Sequence, residues 1–215
     1  YYNRIIALSE IDQMVGSTLD IEEVLKMITS SLSNLMRFDS MSVMLLKGDS
    51  LKVVAGEGFD VLDQVIGLTF PSKKGYPNYE VIKDKAPLAY KNISEAFPLF
   101  TQPLSPDSSK QIQAWLGVPL ISQEDVIGMF TIDRVDRNEF TLEEIEIAMQ
   151  FANRAAIAIR NAQLYEQTLQ QIEKLNTLRS IDTIITESRD LDHALLVILQ
   201  FVTGGLGIDA ASILL

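Results

Sequence analysis

The chain has 215 residues, 47% of them hydrophobic, with a formal net charge of -11 and no cysteine. Such a charge repels phosphate backbones, and the largest basic cluster is only Lys73-Lys74, so no nucleic-acid partner is expected. The missing cysteines exclude disulfides, thiolate zinc sites and thiol nucleophiles, and no apolar run reaches the roughly 20 residues of a membrane span.

Residues 1–15 read as a helix, with Ile5, Leu8, Ile11 and Val15 recurring at helical spacing. The run Gly16-Ser-Thr-Leu-Asp20 breaks it. Asp20 or Thr18 caps a second helix, whose positive first turn holds Glu22 and Glu23. Its buried face is Ile21, Val24, Leu25, Ile28, Leu32 and Leu35, and it is expected to end near Phe38. Two strands, 40–47 and 51–56, follow across a Gly48-Asp-Ser50 hairpin link.

Between Phe59 and Trp115 the character changes. All seven prolines fall from Pro71 to Pro119, and the aromatics Phe59, Phe70, Tyr76, Tyr79, Tyr90, Phe97, Phe100 and Trp115 cluster here. Proline at this density forbids a continuous helix or central strand, so mostly loop is expected, with a short helix at 78–83 and an extended piece at 88–90. The aromatic content argues against disorder and for a lid packed over one face of a sheet.

Strands return at 112–121 and 126–133, joined by Gln123-Glu-Asp125. Gly128 marks a close backbone approach, expected from a helix behind the sheet. Alternation sends Met129 and Thr131 to the lid face, whereas Asp133 and Arg134 are expected to pair at the sheet's end or to face water. Thr141 and Glu144 form a capping box for a helix over 141–187 that contains neither Pro nor Gly. Some 46 residues at about 1.5 Å each make a rod of roughly 70 Å, too long for one small body. Its first half is dense in Ala and Ile, and its second carries one apolar stripe suited to a paired helix.

Laying 178–215 over 8–45 gives a constant offset of 170 residues with no gap, matching Leu8 with Leu178, Ile11 with Ile181, Asp12 with Asp182, Asp20 with Asp190 and Leu45 with Leu215. So long a period signals tandem domains rather than a solenoid. The expected organisation is a first domain over 1–165, a connecting helix over 166–187 and, from 178 to 215, the start of a truncated second copy; the chain is read as a fragment of a longer protein. Hairpin-linked strands with flanking helices make the fold class α+β, an antiparallel sheet with helices on one face and the lid on the other, ending in the long helix.

Three strings resemble the GAF domain, a small-molecule-binding and dimerisation module of signalling proteins. Trp115-Leu-Gly-Val-Pro-Leu-Ile121 is similar to that family's L-x-V-P-L strand, and Val126-Ile-Gly-Met-Phe-Thr-Ile-Asp133 to its V-I-G-x-L-x-L strand. Phe140-Thr-Leu-Glu-Glu144 together with Ala155-Ala-Ile-Ala-Ile-Arg-Asn-Ala-Gln-Leu-Tyr165 resembles its closing helix. Pocket Cys or His, which the bilin- and haem-binding members use, is missing: the single His, His193, lies in the second copy. Bilin, haem and zinc are therefore not expected, nor is the cysteine-dependent reduction of methionine sulfoxide, and the cofactor stays unknown. The cyclic-nucleotide-binding members carry Asn-Lys, Phe and Asp-Glu where this chain has Asp133, Arg134, Phe140, Glu144 and Ile145, so only Phe140 is kept and that ligand is not favoured.

The resemblance implies a non-catalytic, cytoplasmic sensory module that binds an unknown small molecule beneath the lid and relays through a homodimeric helix. Any kinase, cyclase or phosphodiesterase output would lie outside this fragment, and no membrane is expected within it. The pocket is expected to draw on Phe59, Phe70, Tyr76, Tyr79, Tyr90, Phe97, Trp115, Met129 and Thr131. The helix interface is expected to use Ile5, Leu8, Ile11, Val15, Leu169, Ile172, Leu175 and Leu178. The competing reading is a ligand-free dimerisation scaffold whose lid aromatics fill a dry core. Lys73 and Lys74 either steer an anionic ligand or are solvated surface. Asp12 and Asp182 either set register in a helical seam or sit beside it. Glu143, Glu144 and Glu146 suit a helix N-terminus without any chemistry, and no nucleophile and base pair suggests an enzyme.

Overall fold

A computed structural model describes residues 2–17, 20–59, 62–101, 112–136, 139–187 and 199. The chain divides into two compact units, Tyr1–Ala162 and Gln163–Leu215. Of the proposed second copy only 178–187 and 199 are among the described residues; the rest of it, with His193, and the Val15 side chain lie outside them.

The first unit opens with α1 (Tyr2–Ser17) and α2 (Ile21–Ser33). Asp20 caps α2, its carboxylate accepting from the amides of Glu22 at 3.0 Å and Glu23 at 3.2 Å. The helix stops at Ser33, earlier than expected, because Asn34 forms the C-cap and turns the chain before Met36. Next come β1 (Ser40–Lys47) and β2 (Ser50–Glu57), where Gly48 supplies the positive φ of the two-residue hairpin turn.

The stretch expected to be mostly loop is instead a succession of short elements: α3 (Leu62–Val65), β3 (Thr69–Pro71), α4 (Pro77–Asp84), β4 (Leu88–Tyr90), α5 (Ile93–Ala96) and a 3₁₀ turn at Pro98–Thr101. Proline permits this because of where it stands. Pro77 opens α4, where a helix needs no amide donor, and Pro71 ends an edge strand. β3 and β4 thereby extend the expected four strands to six. With β5 (Ala114–Ser122) and β6 (Asp125–Arg134) the order is β3-β2-β1-β6-β5-β4, every neighbouring pair antiparallel.

Alternation along the strands builds two cores. Met41, Val43, Leu116, Val118, Phe130 and Ile132 face Ile11 of α1, Leu25 and Ile28 of α2, and Ala148, Phe151, Ala152 and Ala155 of α6 (Leu142–Glu187). The small alanines let α6 lie close against the sheet. On the lid side, Met44, Leu51, Val53, Trp115 and Met129 pack with Val81 of α4 and Ile93 of α5. Gly128 makes its close approach to a strand, not to a helix: a Cβ there would stand 2.1 Å from the Met44 carbonyl oxygen of β1.

The capping box forms as expected. The Thr141 amide donates to Glu144 Oε2 at 2.8 Å, and the Glu144 amide to Thr141 Oγ1 at 3.2 Å. Thr141→Ala is expected to lower the stability of the first unit by about 1 kcal/mol in urea unfolding; an unchanged midpoint would show the cap to be redundant.

α6 continues unbroken to Glu187 and supplies the described backbone of the second unit apart from Leu199. Along it Leu164, Tyr165, Leu169, Ile172, Leu175 and Leu178 are exposed, Leu175 to 65%. No helix among the described residues is long and apolar enough to cross a membrane.

Candidate functional site

The lid face of the sheet is ordered into rows by strand register. One row, Val53, Met44, Met129 and Pro119, is apolar. The next, Gly56, Ser42, Thr131 and Gly117, contains only small side chains, so the sheet surface is low along it. The third, Ser40, Asp133, Trp115 and Tyr90, is polar at one end and aromatic at the other.

Rings lie over both glycines of the small row. A Cβ at Gly56 would come 2.9 Å from the Phe59 ring, and one at Gly117 would come 2.3 Å from the Trp115 indole and 2.8 Å from Val81. Asn78 stands one helical turn before Val81, on the same side of α4, and is buried. Around Trp115 the lid closes an aromatic cluster. Tyr90 and Phe100 each place a ring centroid 6.3 Å from the indole, and Phe97 meets Tyr90 edge-on at 5.2 Å. Edge and tilted contacts of this kind add roughly 0.5–1.5 kcal/mol each beyond burial.

Asp133 is the group that sequence reasoning misplaced. It neither pairs with Arg134 nor faces water: it is 7% exposed, on the lid face, with Ser40 Oγ donating to its Oδ2 at 3.1 Å. Its Oδ1 is buried and has no hydrogen-bond partner. Burial pushes the carboxyl up to about 7; the Ser40 hydrogen bond opposes that rise and the Asp39 charge adds to it. Asp39 is held next to it, its amide donating to the Asp133 carbonyl at 2.9 Å and its Oδ2 accepting from the Val135 amide at 2.9 Å.

Arg134 points to the opposite face. Its Nε donates to the Arg37 carbonyl at 2.8 Å, its Nη1 to the Glu139 carbonyl at 3.2 Å and its Nη2 to Glu144, while the guanidinium lies 4.1 Å over the Phe140 ring. Arg134, Phe140 and Glu144 thus form a clamp between β6 and the start of α6, on the side of the sheet away from the lid. Burial alone would raise the Glu144 carboxyl, but hydrogen bonds from Arg134 and Thr141 hold it below the usual range.

Of the expected pocket residues, Phe70, Tyr90, Phe97, Trp115 and Met129 share the lid-side core, with Thr131 in the adjoining row and Phe59 over Gly56. Tyr76 and Tyr79 lie at the start of α4, where Tyr76 carries Lys73 at 5.9 Å over its ring. Lys73 and Lys74 are both exposed. Ser40, Ser42, Asn78 and Asp133 were missed, although carrying the alternation from Met129 through Thr131 one step further reaches Asp133. Among the expected interface residues, Ile11 is removed by its complete burial in the helix-side core, and Leu8 is partly buried against it. Asp12 pairs within the chain instead of lining a seam, meeting Arg154 of α6 at 2.9 and 3.1 Å. Ile5 and the stripe from Leu169 to Leu178 are exposed.

A family model for the GAF domain matches residues 20–159. The formate hydrogenlyase transcriptional activator of Salmonella typhimurium strain LT2 is 25% identical over 172 residues, covering 78% of this chain and 25% of that protein. The Nif-specific regulatory protein of Azospirillum lipoferum is 22% identical over 194 residues, covering 87% of this chain and 30% of its own length. The chain therefore spans between a quarter and a third of the length of these two relatives. Among solved structures, the GAF domain of a phosphoenolpyruvate-protein phosphotransferase from Coxiella burnetii superposes with a TM-score of 0.62 at 20% identity, over 77% of this chain and 98% of that one.

Proposed function

The chain belongs to the GAF domain family, and from that premise we propose that it is a non-catalytic sensory module, binding a small molecule between lid and sheet and relaying occupancy through α6 to an output elsewhere in a longer protein. The observation that carries this reading is the row of small residues on the lid face, bounded by Phe59, Trp115 and the buried Asp133. The Phe59 and Trp115 rings cover the glycines of that row, so in this reading a ligand displaces a ring to reach the buried polar groups beside it. The two curated relatives are by name a transcriptional activator and a regulatory protein, so the proposed output is control of transcription in the cytoplasm.

The relay partner in this proposal is a second copy of the chain. Leu169, Ile172, Leu175 and Leu178 are exposed, and Ile172 and Leu175 stand three residues apart, the a-to-d step that a two-helix seam covers. Analytical ultracentrifugation is expected to give a dimer whose dissociation constant rises at least tenfold when Ile172→Glu and Leu175→Glu are combined. A wild-type monomer at about 50 µM, on the order of ordinary assay concentrations, would remove the dimeric relay. Native mass spectrometry of the purified chain tests the sensing arm, a stoichiometric bound mass being the expected result.

The packing of Tyr90, Phe97 and Phe100 around Trp115 favours a second reading, a ligand-free dimerisation scaffold whose own rings fill the lid side. That reading expects the same dimer and no bound mass.

A further inference from the structure

We propose that the ligand of the lid face is a small organic cation, an ammonium or amidinium on an apolar body, whose N–H groups are received by Asp133 Oδ1. This rests on the ligand-binding reading above and names the chemistry that the site would select.

Asp133 carries the inference by what it has and what it lacks. One carboxylate oxygen is satisfied by Ser40, while the other is buried without a partner. A buried carboxylate in this state is short of both a hydrogen-bond donor and a counter-charge, and folded proteins supply both wherever such groups persist. The chain does not supply them from the adjoining guanidinium, since Arg134 lies on the other face and is engaged by Arg37, Glu139 and Glu144. Asp39, fixed next to Asp133 by its amide on the Asp133 carbonyl and its carboxylate on the Val135 amide, makes the locality more negative still. A proton meets part of that need, as the raised pKa of the group indicates. An N–H cation meets it better, bringing donor and charge together.

The surroundings set the rest of the ligand. Beside Asp133 runs the low row of Ser42 and Thr131, with the indole of Trp115 directly across the strand pair and the Phe59 ring at the far end. Aromatic faces attract cations and also pack apolar carbon, and the two hydroxyls take up donors left over from Asp133. An anionic ligand would meet Asp133 and Asp39 with no compensating charge from Arg134, and the net charge of -11 adds long-range repulsion.

Trp115 is the only tryptophan and is the cross-strand neighbour of Asp133, so its fluorescence reports on the site directly. Titration at neutral pH with 2-phenylethylammonium and benzamidinium, against 3-phenylpropionate and 2-phenylethanol as shape-matched anionic and uncharged probes, tests the inference. The cations are expected to bind at least tenfold more tightly than the other two, and Asp133→Asn is expected to abolish that preference. Equal binding of anionic or uncharged probes, or cation binding untouched by Asp133→Asn, overturns the assignment while leaving a ligand site standing. If no probe binds and the purified chain carries no small molecule, the sensory reading falls with it. Should Asp133→Asn fail to fold, as judged by near-UV circular dichroism, Ser40→Ala replaces it. Freeing the second oxygen is expected to tighten cation binding at least twofold, and loss of the cation preference in that variant again overturns the assignment.

Discussion

Arg134→Met is expected to lower the unfolding free energy of the sheet-bearing unit by about 3–5 kcal/mol, the range for breaking a buried ion pair from one side. Arg134 is 5% exposed and donates to two backbone carbonyls and to the Glu144 carboxylate. Methionine keeps the chain length and the contact with Phe140 but brings no donor, so Arg37 and Glu139 lose carbonyl partners and Glu144 loses its counter-charge. The cost is that of stranded acceptors more than of lost attraction. Arg134→Lys retains the charge and loses the planar fork, and should fall between wild type and Arg134→Met. Urea unfolding followed by Trp115 emission measures the series. Folded-state emission should not change, because the clamp and the indole lie on opposite faces of the sheet. A loss below about 1 kcal/mol for Arg134→Met would mean that water replaces the guanidinium and that the site is not closed.

The second large effect is a pH dependence with an unusual sign for a carboxylate. Asp133 rises from 3.8 to about 7 on folding, so the unfolded chain releases this proton at lower pH than the folded one does. Its contribution is fully present below the unfolded pKa and is lost as pH climbs to about 7, beyond which the loss is complete. Each pH unit between those two values removes about 1.4 kcal/mol, so the loss across the window is on the order of 4 kcal/mol. Asp133→Asn keeps an uncharged group of the same shape and an acceptor for Ser40, and should gain that amount relative to wild type between acidic and mildly alkaline conditions. The measurement is the difference in unfolding free energy between variant and wild type from about pH 3 to about pH 8, which brackets the titration of both states. A flat difference would show that Asp133 is solvated, which would also remove the reason for a ligand cation. Glu144 contributes with the opposite sign: its folded pKa is lowered, so its stabilisation is present above the unfolded value and disappears as the solution turns acidic.

Both effects come from adjacent residues, Asp133 and Arg134, and these mark the boundary of what could be read in the chain. Extended backbone sends neighbours to opposite faces, so one joins the lid side and the other the helix side. Sequence reasoning has them pair with each other at the sheet's end or face water in the turn. β6 in fact continues through both, because β1 and β5 pair with it to the end, Ser40 and Trp115 opposite Asp133 and Ala114 opposite Arg134. Similarly, Ile11 and Leu8 belong to an amphipathic stripe that periodicity finds, but the stripe alone does not say whether a sheet or a second subunit covers it.

The order of the main elements on either side of the lid was determined by the sequence alone: the two opening helices, the two hairpins, the capped helix from Leu142 to Glu187 and the alternation that gives the sheet two faces. These are local matters, settled by residue spacing, turn chemistry and caps within a few positions along the chain. Only the tertiary structure decided the rows on the lid face, the burial of Asp133 and the reach of Arg134 to residues 37, 139 and 144. Those depend on cross-strand register and on removal of water by distant segments. A carboxylate that would stay solvated on an isolated strand becomes a buried, half-satisfied group once lid and sheet close around it.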